Sequence, residues 1–159
     1  MKVRPYRPSD AESVCATLNE IVARGDAFLY DTPFTPASTQ AWIESHAAGF
    51  VAELDRAIVG GYVLRANQPG HGSHVCNAAY MVAESARGHG VGRMLGEHSL
   101  MEAKRLGFTA MQFNAVVATN ASAVRLWKSL RFETIGTLPG AFRLGTGQLV
   151  DLHVMYRLL

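Results

Sequence analysis

Three glycines at alternate positions, Gly88, Gly90 and Gly92, separate a short apolar stretch from a helical pattern. Glycine lets backbone N–H groups come close to a ligand because it carries no Cβ. The first turn of the following helix adds unpaired N–H groups and the positive end of the helix dipole. With Arg87 and Arg93 on either side, these residues predict a site for a phosphate or diphosphate group.

Two common nucleotide-binding motifs do not fit this stretch. A P-loop would continue as Gly-Lys-Ser or Gly-Lys-Thr, and the dinucleotide fingerprint counted from Gly88 needs glycine or alanine where Arg93 stands. The order of Arg87, Gly90 and Gly92 after an apolar strand instead resembles the diphosphate loop of the GNAT superfamily of acyl-CoA-dependent N-acyltransferases. The resemblance implies that acetyl-CoA is the co-substrate.

Residues 120–132 resemble the second signature of this superfamily. That signature has an asparagine, an alanine three residues on, then Leu-Tyr, and Gly-Phe at the end of a helix. Asn120 and Ala123 match it, whereas Trp127 replaces the tyrosine and Arg131 replaces the glycine. In the family the tyrosine can protonate the departing thiolate, but an indole N–H only donates a hydrogen bond. Stabilisation of the thiolate is therefore left to Asn120 or Trp127.

Residues 112–120 and 136–143 look closer to one branch of the superfamily. That branch contains bacterial proteins of unassigned substrate and fungal acetyltransferases acting on proline analogues such as azetidine-2-carboxylate. Membership implies a single domain over residues 1–159 with an α/β fold of the α+β, mixed-sheet type. The expected sheet is twisted, has six to seven strands with helices on both faces, and splays between strands 4 and 5.

The resemblance also implies which residues bind acetyl-CoA. Backbone groups of the strand before the glycines would pair with the pantetheine amides, and a backbone N–H near Met81 would stabilise the oxyanion that forms on the thioester. The glycine turn would hold the diphosphate. The implied contacts are Tyr80, Met81, Val82, Arg87, Gly88, His89, Gly90, Val91, Gly92, Arg93, Asn120, Ala123 and Trp127.

The sequence leaves the catalytic group that removes the amine proton open among Glu84, Tyr80 and Asn114. Glu84 lies at a strand end, where a solvated carboxylate is the alternative to a general base. Tyr80 alternates with Met81 along the strand, so only one of the two faces the substrate. Asn114 interrupts an apolar strand, and its amide either makes structural hydrogen bonds or orients the substrate.

The predicted acceptor is a small-molecule amine, including an amino acid or an analogue of one. Large side chains in the early loop, together with Phe142, would narrow the open groove that a peptide needs. Acetylation of a protein or peptide is therefore one alternative, and a non-catalytic acyl-CoA sensor, favoured by the missing tyrosine, is the other. The substrate-binding candidates are Phe28, Tyr30, Asn77, Asn114 and Phe142.

Composition argues against several other classes. Apolar residues make up 48% of the chain and the formal net charge is +2, so nucleic acid is not an expected partner. His71, His74 and Cys76 match no zinc signature, so no metal is expected. Two cysteines, no signal-peptide pattern and no long apolar stretch predict a cytoplasmic protein without a membrane partner. Family members of this size are often dimers, so a homodimer is left open.

Periodicity and turn residues predict the element order β-α-α-β-β-β-α-β-α-β-β. Ser9 and Glu12 are expected to form a capping box for the first helix, which ends at Gly25. A second helix is expected from residue 36 or 37 to residue 48. The helix after the glycine turn is expected to run to Arg105, with these residues on one face: Val91, Met94, Leu95, His98 and Met101.

Overall fold

The computed structural model describes all 159 residues and has the predicted order of seven strands and four helices. The strands are β1 (Lys2–Pro5), β2 (Ala48–Leu54), β3 (Ala57–Ala66), β4 (Val75–Val82), β5 (Ala110–Val117), β6 (Glu133–Arg143) and β7 (Leu149–Leu158). The helices are α1 (Ala11–Arg24), α2 (Pro36–Glu44), α3 (Val91–Arg105) and α4 (Ala121–Ser129). None of the helices combines the length and the apolar character that crossing a membrane requires.

One seven-stranded sheet runs through the molecule in the order β1-β2-β3-β4-β5-β7-β6. All neighbouring strands are antiparallel except β4 and β5, which are parallel because α3 connects them. The parallel pairing covers only Val75 with Ala110 and Cys76 with Met111. Beyond these two pairs the strands separate, which gives the splayed, mixed sheet expected from the sequence.

The sheet has an apolar core on each face. One core joins the sheet to α3 and α4 and includes Tyr62, Leu95 and Trp127. The other joins the sheet to α1 and α2 through Leu18, Ile43, Val63 and Met81, among others. Helices therefore cover both faces, as predicted. We call the gap between the separated parts of β4 and β5 the slot.

The alternation left open by the sequence is resolved by these two cores. Tyr80 packs on the α3 face and Met81 is buried on the α1 face, because successive strand residues point to opposite sides of a sheet. Gly60 and Gly61 on the neighbouring strand allow a close approach of the backbones. A Cβ at Gly60 would lie 2.7 Å from the Met81 carbonyl oxygen, and β2 carries a register shift at this level.

The first two helices differ from the prediction at their ends. The expected Ser9–Glu12 capping box does not form, because Asp10 is buried and accepts hydrogen bonds from the Arg4 guanidinium and the Arg7 backbone N–H. The Arg4 guanidinium holds the pKa of the Asp10 carboxyl below its usual range. Helix α2 ends at Glu44 rather than residue 48, because residue 48 already begins β2.

The buried face of α3 also differs from the predicted one. Val91 and Leu95 are buried as expected, but Met101 is 64% exposed. Ser99 and Ala103 are fully buried instead, so the stripe follows an i, i+4 spacing with small residues against the sheet. Gly96, which a hydrophobic pattern does not reveal, lies beneath α4: a Cβ there would be 2.6 Å from Leu130.

His98 on α3 makes the stability of this core depend on pH. Its Nδ1 lies 2.8 Å from the Tyr62 hydroxyl, and burial lowers its pKa despite the opposing effect of Glu102. The unfolded chain therefore binds more protons as the pH falls through about 6.5, and the folded state is destabilised. We expect the free energy of unfolding, measured with urea, to fall between about pH 7.5 and about pH 5.5. The fall should be larger in the wild type than in His98→Gln. Equal losses would contradict this assignment.

Candidate functional site

The glycine loop (residues 83–90) connects β4 to α3 and presents two glycines to open space. Gly88 and Gly90 have φ values of +78° and +79°, in the left-handed region that residues with a Cβ rarely adopt. A Cβ added at either position would meet no protein atom within 4 Å. Nothing in the protein therefore requires glycine here except the backbone conformation itself.

The backbone N–H groups of residues 88–93 donate no hydrogen bond to any protein acceptor. Gly90 is the N-cap of α3 and offers no side chain, and helical bonding begins with the N–H of Met94, which donates to the Gly90 carbonyl at 3.1 Å. Six consecutive free donors at the positive end of a fifteen-residue helix suit an anionic ligand. The structure thus brings together the donors that the glycine pattern predicted.

Two arginines stand beside these donors. Arg87 is half-exposed and its Nη1 lies 3.5 Å from the Glu84 carboxylate. Arg93 is held against α4 by a hydrogen bond of 2.8 Å from its Nη2 to the Ser129 hydroxyl. Both guanidinium groups are accessible to an anion, and Arg87 also lines a polar cleft with Asp26 and residues 119–122.

The slot between β4 and β5 leaves one edge of β4 unpaired. After Cys76, β4 continues to Val82 with backbone pairing only to β3. An exposed strand edge offers alternating N–H and C=O groups to an extended ligand that carries amides. This edge leads directly into the glycine loop, so a ligand with amides and a phosphate group can engage both.

Asn120 acts as the N-cap of α4. Its side-chain oxygen accepts hydrogen bonds from the Ala123 backbone N–H at 3.2 Å and from the Ser122 hydroxyl at 2.9 Å. Asn120 therefore caps this helix in the way that asparagine commonly does. Residues 119–122, which surround this cap, lie along the same cleft as Arg87. A contact between these residues and a ligand stays a prediction.

Trp127 packs its ring into the core on the α3 face of the sheet. The centroid of its ring lies 4.6 Å from that of Tyr80 and 4.7 Å from that of Phe113. Its indole N–H has no hydrogen-bond acceptor in the protein. The only fully buried side-chain polar atoms without a partner are the hydroxyls of Tyr6 and Thr39, so the indole N–H is not sealed from solvent. It is available to donate a hydrogen bond to a ligand.

Tyr80 is placed differently from what an acid–base role needs. Its hydroxyl lies 2.7 Å from the Ser99 hydroxyl, which itself donates to the Gly96 carbonyl at 2.7 Å, so Tyr80 is the donor. Burial raises the pKa of Tyr80 above its usual range. The phenol is therefore committed to the core beneath α3, and this geometry argues against the catalytic role considered for it.

Glu84 is also engaged. Its carboxylate lies 3.1 Å from Arg24 and 3.5 Å from Arg87, and its side chain is 61% exposed. The Glu84 backbone N–H donates to Glu20 on α1 at 3.1 Å. The carboxylate is thus engaged by two guanidinium groups and faces solvent, so the arrangement favours an electrostatic role over proton abstraction.

The two predicted substrate-binding asparagines are brought together at the base of the slot. Asn114 donates to the Asn67 side-chain oxygen at 2.7 Å, and Asn77 donates to the same oxygen at 3.4 Å. Gln112 in turn donates to the Asn114 oxygen at 2.9 Å. We call these four residues the amide cluster. The sequence reasoning missed Asn67 and Gln112, because Asn67 belongs to a loop and its long-range contact leaves no local signal.

Arg65 is a second residue that the sequence reasoning missed. It is the only charged residue in β3, β4 and β5 and lies directly opposite Asn77 in the β3–β4 register, so both point to the same face. It belongs to no salt bridge. Its charge also contributes, after burial, to the lowered pKa of His46. A free cation therefore lies beside the amide cluster.

Phe28 and Tyr30 lie in the α1–α2 loop (residues 25–35) and join an aromatic group with Phe34 and Trp42. The Trp42 indole donates to the Tyr30 hydroxyl at 3.0 Å, and Tyr30 is 46% exposed. Phe142 is not part of this group. It is buried on β6 in a separate cluster with residues of β5 and β7.

The α1–α2 loop nevertheless meets the turn of the β6–β7 hairpin to which Phe142 belongs. The N–H of Gly145, in the β6–β7 loop (residues 144–148), donates to the Gly25 carbonyl at 2.9 Å.

No group of three or more histidine, cysteine, aspartate or glutamate side chains is arranged to hold a metal ion. Burial raises the pKa of Cys76 to about 12, so this residue remains a neutral thiol.

The geometry of the fold and the site suits an extended, phosphate-bearing ligand that lies along β4 and reaches into the slot between β4 and β5. A family model supports the class of enzyme that this geometry suggests. The model described as the acetyltransferase (GNAT) family matches residues 16–132, which is most of the chain. The chain belongs to this family, and the predicted enzyme class, an acetyltransferase, is confirmed.

A solved GCN5-related N-acetyltransferase from Kribbella flavida is 40% identical, with a TM-score of 0.93 over 99% of this chain and 97% of that one. A solved ribosomal-protein-alanine N-acetyltransferase from Brucella melitensis is 26% identical, with a TM-score of 0.92 over the whole of both chains. The N-acetyltransferase aca1 of Schizosaccharomyces pombe is 38% identical over 99 residues, which is 62% of this chain. The chain spans 47% of the length of that curated relative.

Proposed function

We propose that this chain transfers the acetyl group of acetyl-CoA to the amino group of a small molecule. The observation that carries the proposal is the run of six free backbone N–H groups at residues 88–93 beside the unpaired edge of β4. A diphosphate and a chain of amides are the two parts of coenzyme A that such an arrangement would recognise. Bound acetyl-CoA supplies an activated thioester, which the free amine attacks directly.

The residues of this chain fit the cofactor in order along β4 and α3. The N–H groups of residues 88–93, with Arg87 and Arg93, hold the diphosphate, and the turn around Asn120 and Ala123 flanks it. The backbone of residues 80–82 pairs with the pantetheine amides. A backbone N–H near Met81 donates to the carbonyl oxygen of the thioester, where negative charge develops.

The central strands suggest how the amine loses its proton. β3, β4 and β5 contain no carboxylate and no histidine, while Tyr80 and Glu84 are engaged elsewhere. The amine therefore enters as the free base, and its proton passes to solvent water after the attack. The Trp127 N–H donates a hydrogen bond that stabilises the departing thiolate, and no stronger acid is required because a thiol has a pKa of about 8.5.

A small acceptor fits the surroundings of the slot better than a peptide does. The Gly25–Gly145 hydrogen bond joins the α1–α2 loop to the β6–β7 loop, and aromatic side chains fill the former. A peptide would need an open groove between these two loops. Phe28 and Tyr30 line the acceptor side, whereas Phe142 supports the hairpin from within.

The amide cluster and Arg65 favour an acceptor that carries a carboxylate, such as an amino acid or a proline analogue. Asn77 and Asn114 orient its polar groups, and the Arg65 guanidinium is free to pair with the carboxylate. Loss of a hydrogen bond to a charged group costs about 1.5–3 kcal/mol, or about 10- to 100-fold in binding. We therefore expect Arg65→Gln to raise the acceptor KM by about this factor, with little change in the KM for acetyl-CoA.

A panel of amines assayed by release of free CoA thiol tests both the activity and the acceptor class. The panel pairs azetidine-2-carboxylate with azetidine, and further amino acids with their decarboxylated amines. The wild type should prefer the carboxylate-bearing member, and Arg65→Gln should lose that preference. Arg56→Gln, which removes an exposed arginine at the β2–β3 turn, is the matched control and should keep it. Equal rates with both members in the wild type would remove the carboxylate from the proposal.

Two other outcomes would favour the alternative functions. Acetylation of peptides but not of small amines would favour protein N-acetylation, an alternative supported by the 26% identity to the Brucella melitensis protein. Saturable CoA binding without thiol release across the panel would favour an acyl-CoA sensor, an alternative supported by the tryptophan at position 127.

A further inference from the structure

Arg24, the last residue of α1, is shared between two loops of the candidate site. Its Nη1 lies 3.1 Å from the Glu84 carboxylate at the start of the glycine loop. Its Nε lies 3.4 Å from the Asp26 carboxylate in the α1–α2 loop. The Glu84 carboxylate also lies 3.5 Å from Arg87, which completes a line of alternating charges: Asp26, Arg24, Glu84 and Arg87.

The same end of α1 makes two further connections. Glu20 accepts the Glu84 backbone N–H, so the entry to the glycine loop is fixed to α1 through backbone as well as side chain. The Gly25 carbonyl accepts the Gly145 N–H from the β6–β7 loop. Three loops that surround the slot therefore meet at one helix end. Asp26 and Arg87 line a common cleft, so the line of charges borders the site itself.

The α1–α2 loop needs such support because its own backbone is weakly tied. The N–H groups of residues 26–32 donate no hydrogen bond to the protein. Its next anchor along the chain is the Phe34 N–H, which donates to the Asn19 side chain at 2.7 Å. The conformation of the intervening segment therefore depends on the aromatic contacts and on the Asp26–Arg24 pair.

We propose that Glu84 is a positioning residue that couples occupancy of the glycine loop to order in the α1–α2 loop. The inference rests on the proposed function. Arg87 turns from Glu84 towards a bound diphosphate, which leaves Arg24 as the sole partner of the Glu84 carboxylate. The strengthened Glu84–Arg24 pair fixes the end of α1 and, through Asp26, the loop that carries Phe28 and Tyr30. Cofactor binding thereby prepares the acceptor side of the slot.

Hydrogen–deuterium exchange of the full chain, with and without coenzyme A, tests this coupling without knowledge of the acceptor. In the wild type, coenzyme A should slow exchange both at residues 88–93 and at residues 26–32. Slowing at the second segment should be about fivefold or more, the low end of measured coupling between sites. In Glu84→Gln, the first effect should persist and the second should disappear.

Two further variants separate positioning from a general loss of structure. Arg24→Gln should reproduce the Glu84→Gln pattern, because it breaks the same line of charges. Glu102→Gln removes a comparable surface ion pair, 2.8 Å from Arg105 near the far end of α3, and should keep both effects. Thermal unfolding of each variant checks that the fold is retained, as expected for substitutions at exposed pairs.

The failures of the two proposals are distinguishable. Slowing at residues 88–93 without slowing at residues 26–32 in the wild type would overturn the coupling and leave the proposed function standing. Retention of both effects in Glu84→Gln would do the same. Absence of any slowing at residues 88–93 would overturn the proposed function and the coupling together.

Discussion

Gly90→Val is expected to weaken the binding of coenzyme A by about 10- to 100-fold while leaving the fold intact. At φ +79° a β-branched residue is strained, so the turn shifts and the N–H groups around it lose their alignment. A hydrogen bond to a charged group is worth about 1.5–3 kcal/mol, and losing one accounts for the expected factor. Isothermal titration calorimetry with coenzyme A measures the change.

Gly107→Val is the matched control for this experiment. Gly107 follows the other end of α3, has φ +88°, and likewise has no protein atom within 4 Å of an added Cβ. Both variants therefore pay a similar backbone strain of about 1–2 kcal/mol, which corresponds to a fall in Tm of about 2–8 °C. Only Gly90→Val should lose affinity. An equal loss in both variants would trace the effect to stability instead of the anion site.

Trp127→Phe is expected to lower kcat by about 10- to 100-fold if the indole N–H stabilises the departing thiolate. The rate effect again reflects about 1.5–3 kcal/mol for a hydrogen bond to a charged group. Phenylalanine keeps an aromatic ring in contact with Tyr80 and Phe113. The stability loss should therefore be well below the approximately 3–5 kcal/mol of a tryptophan-to-alanine change.

Trp127→Tyr completes the comparison, because it restores a donor with a titratable proton. We expect it to recover most of the lost rate and to change the pH profile, since a phenol is itself an acid with a pKa of about 10. Steady-state kinetics over a range of pH on the three proteins provides the measurement. An unchanged rate and pH profile in Trp127→Phe would remove the indole from the mechanism.

The parts of the fold and site that local sequence signals specify were predictable. Gly88 and Gly90 lie between an apolar strand and an amphipathic helix, so a short stretch reveals both the turn and its free N–H groups. Asn120 is a cap for the same local reason. The strand and helix order follows from periodicity, and the parallel β4–β5 pair follows from the helix between them.

The parts that depend on long-range contacts were not predictable. Asp10 replaces Ser9 at the start of α1 because its carboxylate accepts a hydrogen bond from Arg4 on β1, a contact between elements that helix periodicity does not reveal. The amide cluster forms because Asn67 reaches across to β5, 47 residues further on. Likewise, the Glu84 carboxylate pairs with Arg24, which lies 60 residues away in the chain. This pairing argues against Glu84 as the general base, and it became visible only in three dimensions.

The central claim, that backbone N–H groups at residues 88–93 bind the diphosphate of coenzyme A, is tested most directly by a crystal structure of the complex. We predict diphosphate oxygens within hydrogen-bond distance of these N–H groups and the pantetheine arm lying along the unpaired edge of β4. Well-ordered coenzyme A bound away from the glycine loop, or a loop whose N–H groups turn into the protein on binding, would contradict the account.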